Sequence, residues 1–181
     1  VWWIQDGFGV GAGTFTLEWT VGPPPLFPLG TCAQNLTIPD PGCVDAIFTI
    51  SGQPNSLGTN VGLESVDIIL THTWREDIDL TLETPGGQIL NLIMDRGGDN
   101  NNFGNNGNCP TAVFRLRDSG AALSTMPASN NTTGNWAPEQ PLASLTGNPN
   151  GTWVLHICDD TGTDAGALRY LQLNFLPLDC Q

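Results

Sequence analysis

The sequence predicts an all-β fold, an antiparallel β-sandwich or jelly roll preceded by a β-hairpin extension. Three observations carry this. Apolar residues recur along most of the chain with a period of two, the mark of half-buried strands. Clusters of Gly, Pro and Asn separate the apolar runs, and these residues supply the backbone conformations that turns need. No stretch keeps helical periodicity over a useful length. Many short strands with such punctuation indicate two packed sheets.

The elements follow in order. Residues 1–20 read as a hairpin: a strand, a Gly-rich turn from Gly7 to Gly13, and a strand with Phe15, Leu17 and Trp19 on one face. Residues 21–43 read as a Pro-rich connector containing Pro23-Pro24-Pro25, stiff because each ring fixes its own φ. Residues 44–176 read as the compact domain, and 177–181 as a short tail. Within the domain one stripe runs Val66, Ile68, Leu70, His72, Trp74, and another Ile78, Leu80, Leu82 with Asp77 and Asp79 opposed. Further stripes are Leu90, Leu92, Met94; Ala112, Phe114, Leu116; Trp153, Leu155, Ile157; and Leu171, Leu173, Phe175.

The hairpin carries Trp2, Trp3, Ile4, Phe8, Phe15, Leu17 and Trp19. An isolated two-stranded ribbon cannot hide that much apolar surface. Three arrangements satisfy it: packing on its own domain, closing a preceding sandwich, or adding to a neighbouring subunit's sheet. The chain opens at Val1 inside an apparent strand, without initiator Met or signal peptide, which predicts a fragment, a processed form or one unit of a longer polypeptide.

Composition excludes several classes. The 181 residues carry 18 acidic and 5 basic side chains, for a net charge of -13, and no lysine. Such a chain cannot neutralise phosphates, so nucleic acid is excluded as a partner. No apolar run reaches the ~18 residues that a membrane helix needs, so no membrane insertion is expected. The 39% apolar content suffices for a core. Five cysteines, at 32, 43, 109, 158 and 180, show no metal-ligand spacing. With the sequons at Asn35, Asn130, Asn131 and Asn150, they indicate an oxidising, extracellular setting. Proximity suggests Cys32–Cys43, closing the Pro-rich loop, and Cys109–Cys158, leaving Cys180 odd; spacing alone does not fix the pairing.

Three stretches carry a family resemblance. The first is the strand Val66 to Thr73 ending in His72-Thr73, followed by an acidic turn, Leu80-Thr81-Leu82 and Thr84-Pro85-Gly86-Gly87. The second is Pro138-Glu139-Gln140-Pro141-Leu142, and the third Gly151-Thr152-Trp153 through Asp159-Asp160, then Gly166-Ala167-Leu168. Over Ser65–Phe175 the chain resembles the P domain that follows the catalytic domain in proprotein convertases and many bacterial subtilisin-like proteases. It departs at Glu76, where the family usually has a small residue, and no subtilisin catalytic motif is present. The first 20 residues resemble the closing strands of bacterial secreted β-sandwiches. The resemblance implies a jelly roll without catalytic activity that stabilises a neighbour or mediates contacts, with calcium in bacterial members.

Calcium takes oxygen ligands from Asp, Asn and main-chain carbonyls. The loop Asp95 to Gly104 offers Asp95, Asp99 and Asn101, to which Asp118 can return after the next strand. It lacks the closing Glu of an EF-hand. A second group is Asp159, Asp160 and Asp164, and a third is Asp77, sharing a strand face with Asp79. Hydrolytic chemistry is not expected. Only His72 and His156 can serve as a base, there is no G-x-S-x-G, and Asp77 with Asp79 do not face each other across a cleft. Trp136, in a polar stretch, is either a loop anchor on the core or a stacking surface for sugar. The sequence thus predicts a non-enzymatic, extracellular, calcium-stabilised structural module. It stacks end to end with copies of itself or with neighbouring modules through Trp2, Trp3, Ile4, Phe15, Leu17 and Trp19. The alternatives are an accessory P domain of a secreted protease, or a calcium-dependent module with glycans as partners.

Overall fold

A computed structural model describes residues 24–178. Nine strands form two sheets packed as a sandwich: β1 Leu36–Ile38, β2 Gly42–Ile50, β3 Val61–His72, β4 Ile78–Glu83, β5 Ile89–Ile93, β6 Phe114–Ala122, β7 Gly134–Ala137, β8 Gly151–Asp159 and β9 Gly166–Pro177. One sheet has the order β1-β9-β3-β6-β7 and the other β2-β8-β4-β5. Among the described residues the only helical elements are short 3-10 turns.

The predicted stripes are the core. Ile68, Leu70 and Leu171 from the five-stranded sheet meet Leu80, Leu82, Leu155 and Ile157 from the four-stranded one, all fully buried. Trp153 lies among them and satisfies its indole N–H on the Pro149 carbonyl at 2.7 Å. Truncating such a residue to Ala costs about 3–5 kcal/mol in typical cores. β3 is buried on both faces over Ser65–Leu70. Its outward side chain Ile69 is covered by Val113 and Tyr170, with Cys32 and Cys109 packed against them.

Three features depart from the expectations. β7 runs parallel to β6, because residues 123–133 carry the chain back along the sheet before it re-enters. Residues within the Pro-rich stretch belong to the sandwich: Phe27 and Ile38 are buried, β1 adds to the edge of β9, and Gly30 N–H donates to the Leu171 carbonyl at 2.9 Å. The cysteine pairing also differs. The bonds are Cys32–Cys109 and Cys43–Cys158, not Cys32–Cys43 and Cys109–Cys158. Cys43 and Cys158 are register partners on β2 and β8, so strand pairing brings them together regardless of sequence distance. Cys32 is carried over the outer face of the five-stranded sheet to Cys109.

Candidate functional site

Strand directions give the sandwich two ends of opposite chemistry. At one end lie His72, Gly166, Asp159 and the start of β4, joined by the register of β3 with β9 and of β4 with β8. At the other lie Val61, Pro177, Ile50 and Gly151. With 12 residues in β3, the ends stand roughly 40 Å apart.

The first end is acidic. Asp77 and Asp159 are buried there. Asp159 lies at hydrogen-bond distance from His72 Nε2, 3.0 Å, and also accepts the Thr161 N–H at 3.3 Å. Asp164 accepts from the Thr73 hydroxyl, and the main-chain N–H of Asp160 donates to the Asp77 carbonyl at 3.1 Å. The Asp77 carboxyl is pushed above its ordinary value by burial, then by the charges of Asp159, Asp164 and Asp160, with His72 opposing. It accepts no hydrogen bond from a described residue. Asp79 is raised too, by burial and then by Asp95, although it accepts the Asp95 N–H at 3.1 Å. Asp77, Asp159, Asp160 and Asp164 thus share one end, with Asp79 and Asp95 beside them. Among the described residues, no three His, Cys, Asp or Glu groups converge closely enough to hold a metal ion by themselves.

The Asp95–Gly104 loop is organised around a cation of the protein's own. Arg75 is fully buried. Its guanidinium donates to the Thr132 hydroxyl, to the Gly97 carbonyl at 3.0 Å and to the Pro127 carbonyl at 3.4 Å, and lies 5.7 Å from the centre of the Phe103 ring. Its main-chain N–H donates to the Asn100 carbonyl at 3.0 Å. Gly97, at φ +107, admits this approach: a Cβ there would stand 2.8 Å from Arg75 Nε. Burial lowers the Arg75 pKa, and no described carboxylate pairs with it. Asp95 and Asp99 point to solvent, and Asn101 N–H is held by the Asn130 side chain at 2.8 Å. Asp118 does not return to this loop. Its two oxygens accept from Leu142 and Ala143 N–H at 2.6 and 2.9 Å.

The other singled-out residues fall as follows. Trp136 is buried, stacks on Phe114 at 5.8 Å, and donates to the Thr133 carbonyl; it is a core anchor. His72 is buried against Asp159. His156 sits on the outer face of the four-stranded sheet, with Asp45 at 2.7 Å on Nδ1 and Glu83 at 3.1 Å on Nε2. No nucleophile accompanies either. Asn35, Asn130 and Asn131 are exposed, whereas Asn150 Nδ2 donates to Gln53 O, Asn55 Oδ1 and Asn148 Oδ1. Trp2, Trp3, Ile4, Phe15, Leu17, Trp19 and Cys180 lie outside the described residues.

The second end is concave and was not singled out from sequence. Leu63, Leu142, Leu145, Leu176 and Leu178 wall an apolar cavity of about 220 Å3. Beside it, sharing Glu64, a polar pocket of about 460 Å3 is lined by Arg115, Asn174 and Phe175 among others. Arg115 is clamped on Asp67 by two bonds of 2.7 and 2.6 Å, Asp67 accepts from Ser65, and Ser65 from Asn174. Alternation could have placed Leu176 and Leu178 on one face, but nothing in the sequence reports that a chain end lies beside a groove.

The all-β sandwich agrees with what a family comparison finds. The model for the proprotein convertase P-domain matches residues 64–175. No curated protein matches the chain. P domains are non-catalytic accessory domains of proteases. The matched segment runs from Glu64 in β3 to Phe175 in β9, and on this match the chain belongs to the proprotein convertase P-domain family.

Proposed function

We propose that this P domain is a non-catalytic structural module of an extracellular protein, assembling with copies of itself or with neighbouring modules and stabilised by calcium at its acidic end. One observation carries the assembly reading: the apolar end. Leu176 and Leu178 are 51% and 38% exposed there. The lateral edges are protected instead. Glu139 and Gln140 N–H groups pair with β5, Phe27 N–H pairs with β2, and the edge strands β1 and β7 are only 3 and 4 residues long. Short, covered edges disfavour sideways strand addition, so contacts fall to the ends. The two disulfides fit an oxidising compartment.

Calcium is supported by Asp77, a buried carboxylate without a hydrogen-bond donor in a field of like charge. A bound cation relieves that cost. Since no three of these carboxylates converge, an ion would draw on at most two of Asp77, Asp159, Asp160 and Asp164, with main-chain carbonyls and water completing the oxygen set. At calcium 100-fold above its dissociation constant, mass action adds ~2.7 kcal/mol. Chelation should then lower the melting temperature by roughly 5–10 °C; an unchanged melting curve removes calcium from the proposal. The assembly reading is tested by sedimentation and electron microscopy of the native chain against one lacking residues 1–20. Loss of assembly with the fold retained supports it, and the same assembly from both chains refutes it. The family match favours a second reading, an accessory domain whose apolar end meets a protease domain. In that case the isolated chain stays monomeric and gains stability only when the catalytic domain is supplied.

A further inference from the structure

We propose that the concave face at the Val61/Pro177 end is the seat for residues 1–20 of a second copy of this chain. The inference rests on the assembly reading and adds where the segment docks. The cavity under Leu176 and Leu178, about 220 Å3, falls below the roughly 300–1,000 Å3 of small-molecule sites. It suits one large side chain of a protein partner.

Charge does not oppose docking there. Arg115 lines the adjoining polar pocket and is clamped on Asp67, and Arg117, two residues along β6, reaches Glu64 at 3.3 Å. These pairs leave this end close to neutral, while the carboxylate cluster stands at the other. Arg117 Nε is buried without a partner among the described residues. Residues 1–20 bring Trp2, Trp3, Phe15, Leu17 and Trp19 as apolar anchors, Asp6 and Glu18 as charges, and no Lys or Arg. Apolar anchors seated in a water-excluded pocket give a docking surface most of its energy.

The path of the chain brings the segment to this end. Ile38 faces Gly166, Leu36 faces Leu168, and Gly30 bonds Leu171. Read backwards, the chain climbs β9 towards Pro177. Phe27 N–H then donates to the Ile47 carbonyl, three residues short of the Ile50 end of β2, so the described chain begins towards this end of the sandwich. A segment fitting a different face of its neighbour makes a head-to-tail contact that propagates.

The test uses the full chain carrying Leu176→Asp with Leu178→Asp. Both residues are exposed, so folding is checked by near-ultraviolet dichroism and is expected to persist. Self-association, followed by sedimentation velocity, should weaken at least tenfold. Mixing this variant, donor intact, with the chain lacking residues 1–20, acceptor intact, should give a one-to-one complex that grows no further. If the double Asp variant assembles like the native chain while the truncation does not, the seat is wrong and the assembly reading stands. If neither change affects assembly, both fall. If the native chain is a monomer in which residues 1–20 shield Leu176 from solvent, docking is within one chain and the proposal is overturned.

Discussion

Arg75→Met removes the buried guanidinium while keeping most of its volume, and so isolates what the charge does. Arg75 ties three segments: its own turn, the Gly97–Asn100 loop and the Pro127–Thr132 loop. The main-chain bond to Asn100 survives the substitution. The Thr132 hydroxyl still donates to Ser129 at 2.9 Å, so it is not orphaned. Gly97 and Pro127 are partly or fully exposed, so their carbonyls recover water. The loss is then two well-formed bonds from a charged donor, at ~1.5 kcal/mol each, the low end for a charged donor because the acceptors rehydrate, plus ~0.5–1 kcal/mol for the cation over Phe103. Relief from burying an unpaired charge offsets part of this. The sum is a destabilisation of about 2–3 kcal/mol, or roughly 4–12 °C in melting temperature. Hydrogen exchange should rise in residues 97–103 and 127–132 before the rest of the sandwich. A variant within about 0.5 kcal/mol of native, or one whose exchange rises uniformly, would refute the idea that this guanidinium organises the two loops.

Three further outcomes are expected. Replacing Cys32 and Cys109 together by Ala opens a loop of 77 residues; chain entropy sets the loss at up to ~4.5 kcal/mol, read from urea unfolding, while peptide mapping of the native chain should return the Cys32–Cys109 and Cys43–Cys158 links. For His156, burial alone lowers the pKa, but the hydrogen bonds and charges of Asp45 and Glu83 together raise it. Its contribution is therefore full below its unfolded pKa of ~6.5 and lost as pH rises through the higher folded value. The raised Asp77 and Asp79 act in the same direction at lower pH, so in chelator stability should fall from pH 5 to 8, and His156→Gln should flatten the upper part of that slope. Expressed in a glycosylating secretory host, the chain should carry glycan at exposed Asn35 and none at Asn150, whose Nδ2 is committed to three acceptors, as mass spectrometry of the tryptic or chymotryptic peptides will show.

The alternating stripes were legible because both sheets bury one face of each long strand, and Leu80, Leu155 and Leu171 could be assigned inward without knowing their partners. β7 was not, since four residues around one tryptophan carry no period; the polar neighbours of Trp136 left it open between a core anchor and an exposed stacking surface, and its burial settles it as the anchor. The Pro-rich stretch read as a linker, yet single anchors such as Phe27 and Ile38 bind it to the sandwich, and a lone anchor leaves no pattern. Cysteine pairing failed for a topological reason: Cys43 and Cys158 meet through strand register across 115 residues. Of the acidic groups, Asp77 and Asp159 to Asp164 were read as separate clusters and the fold gathers them. Asp118 was read as returning to the Asp95 loop, and the fold turns it to the Leu142 turn instead. Arg75 was invisible because a lone Arg among acids looks like a solvated turn, and only its burial reveals it as the centre of a loop.

Charge links the two ends. All five cations of the chain are arginine, and the described structure engages each: Arg96 on Glu139, Arg115 on Asp67, Arg117 on Glu64, Arg169 on Thr71 and Arg75 on the loops. Few positive charges remain to offset the net -13, and like-charged copies repel when brought together. Arg115 and Arg117 are balanced by Asp67 and Glu64, so a head-to-tail contact meets the next copy at a nearly neutral, apolar end. The carboxylate-rich ends are kept roughly a domain length apart. A contact between two acidic ends would need the cations that the proposed calcium sites supply. On the reading proposed here, assembly through the apolar end should therefore hold or strengthen with added salt, because screening removes only the repulsion between copies. Assembly driven by calcium bridging between acidic ends would instead collapse with chelator, so titrating salt and chelator separately distinguishes which end makes the contact.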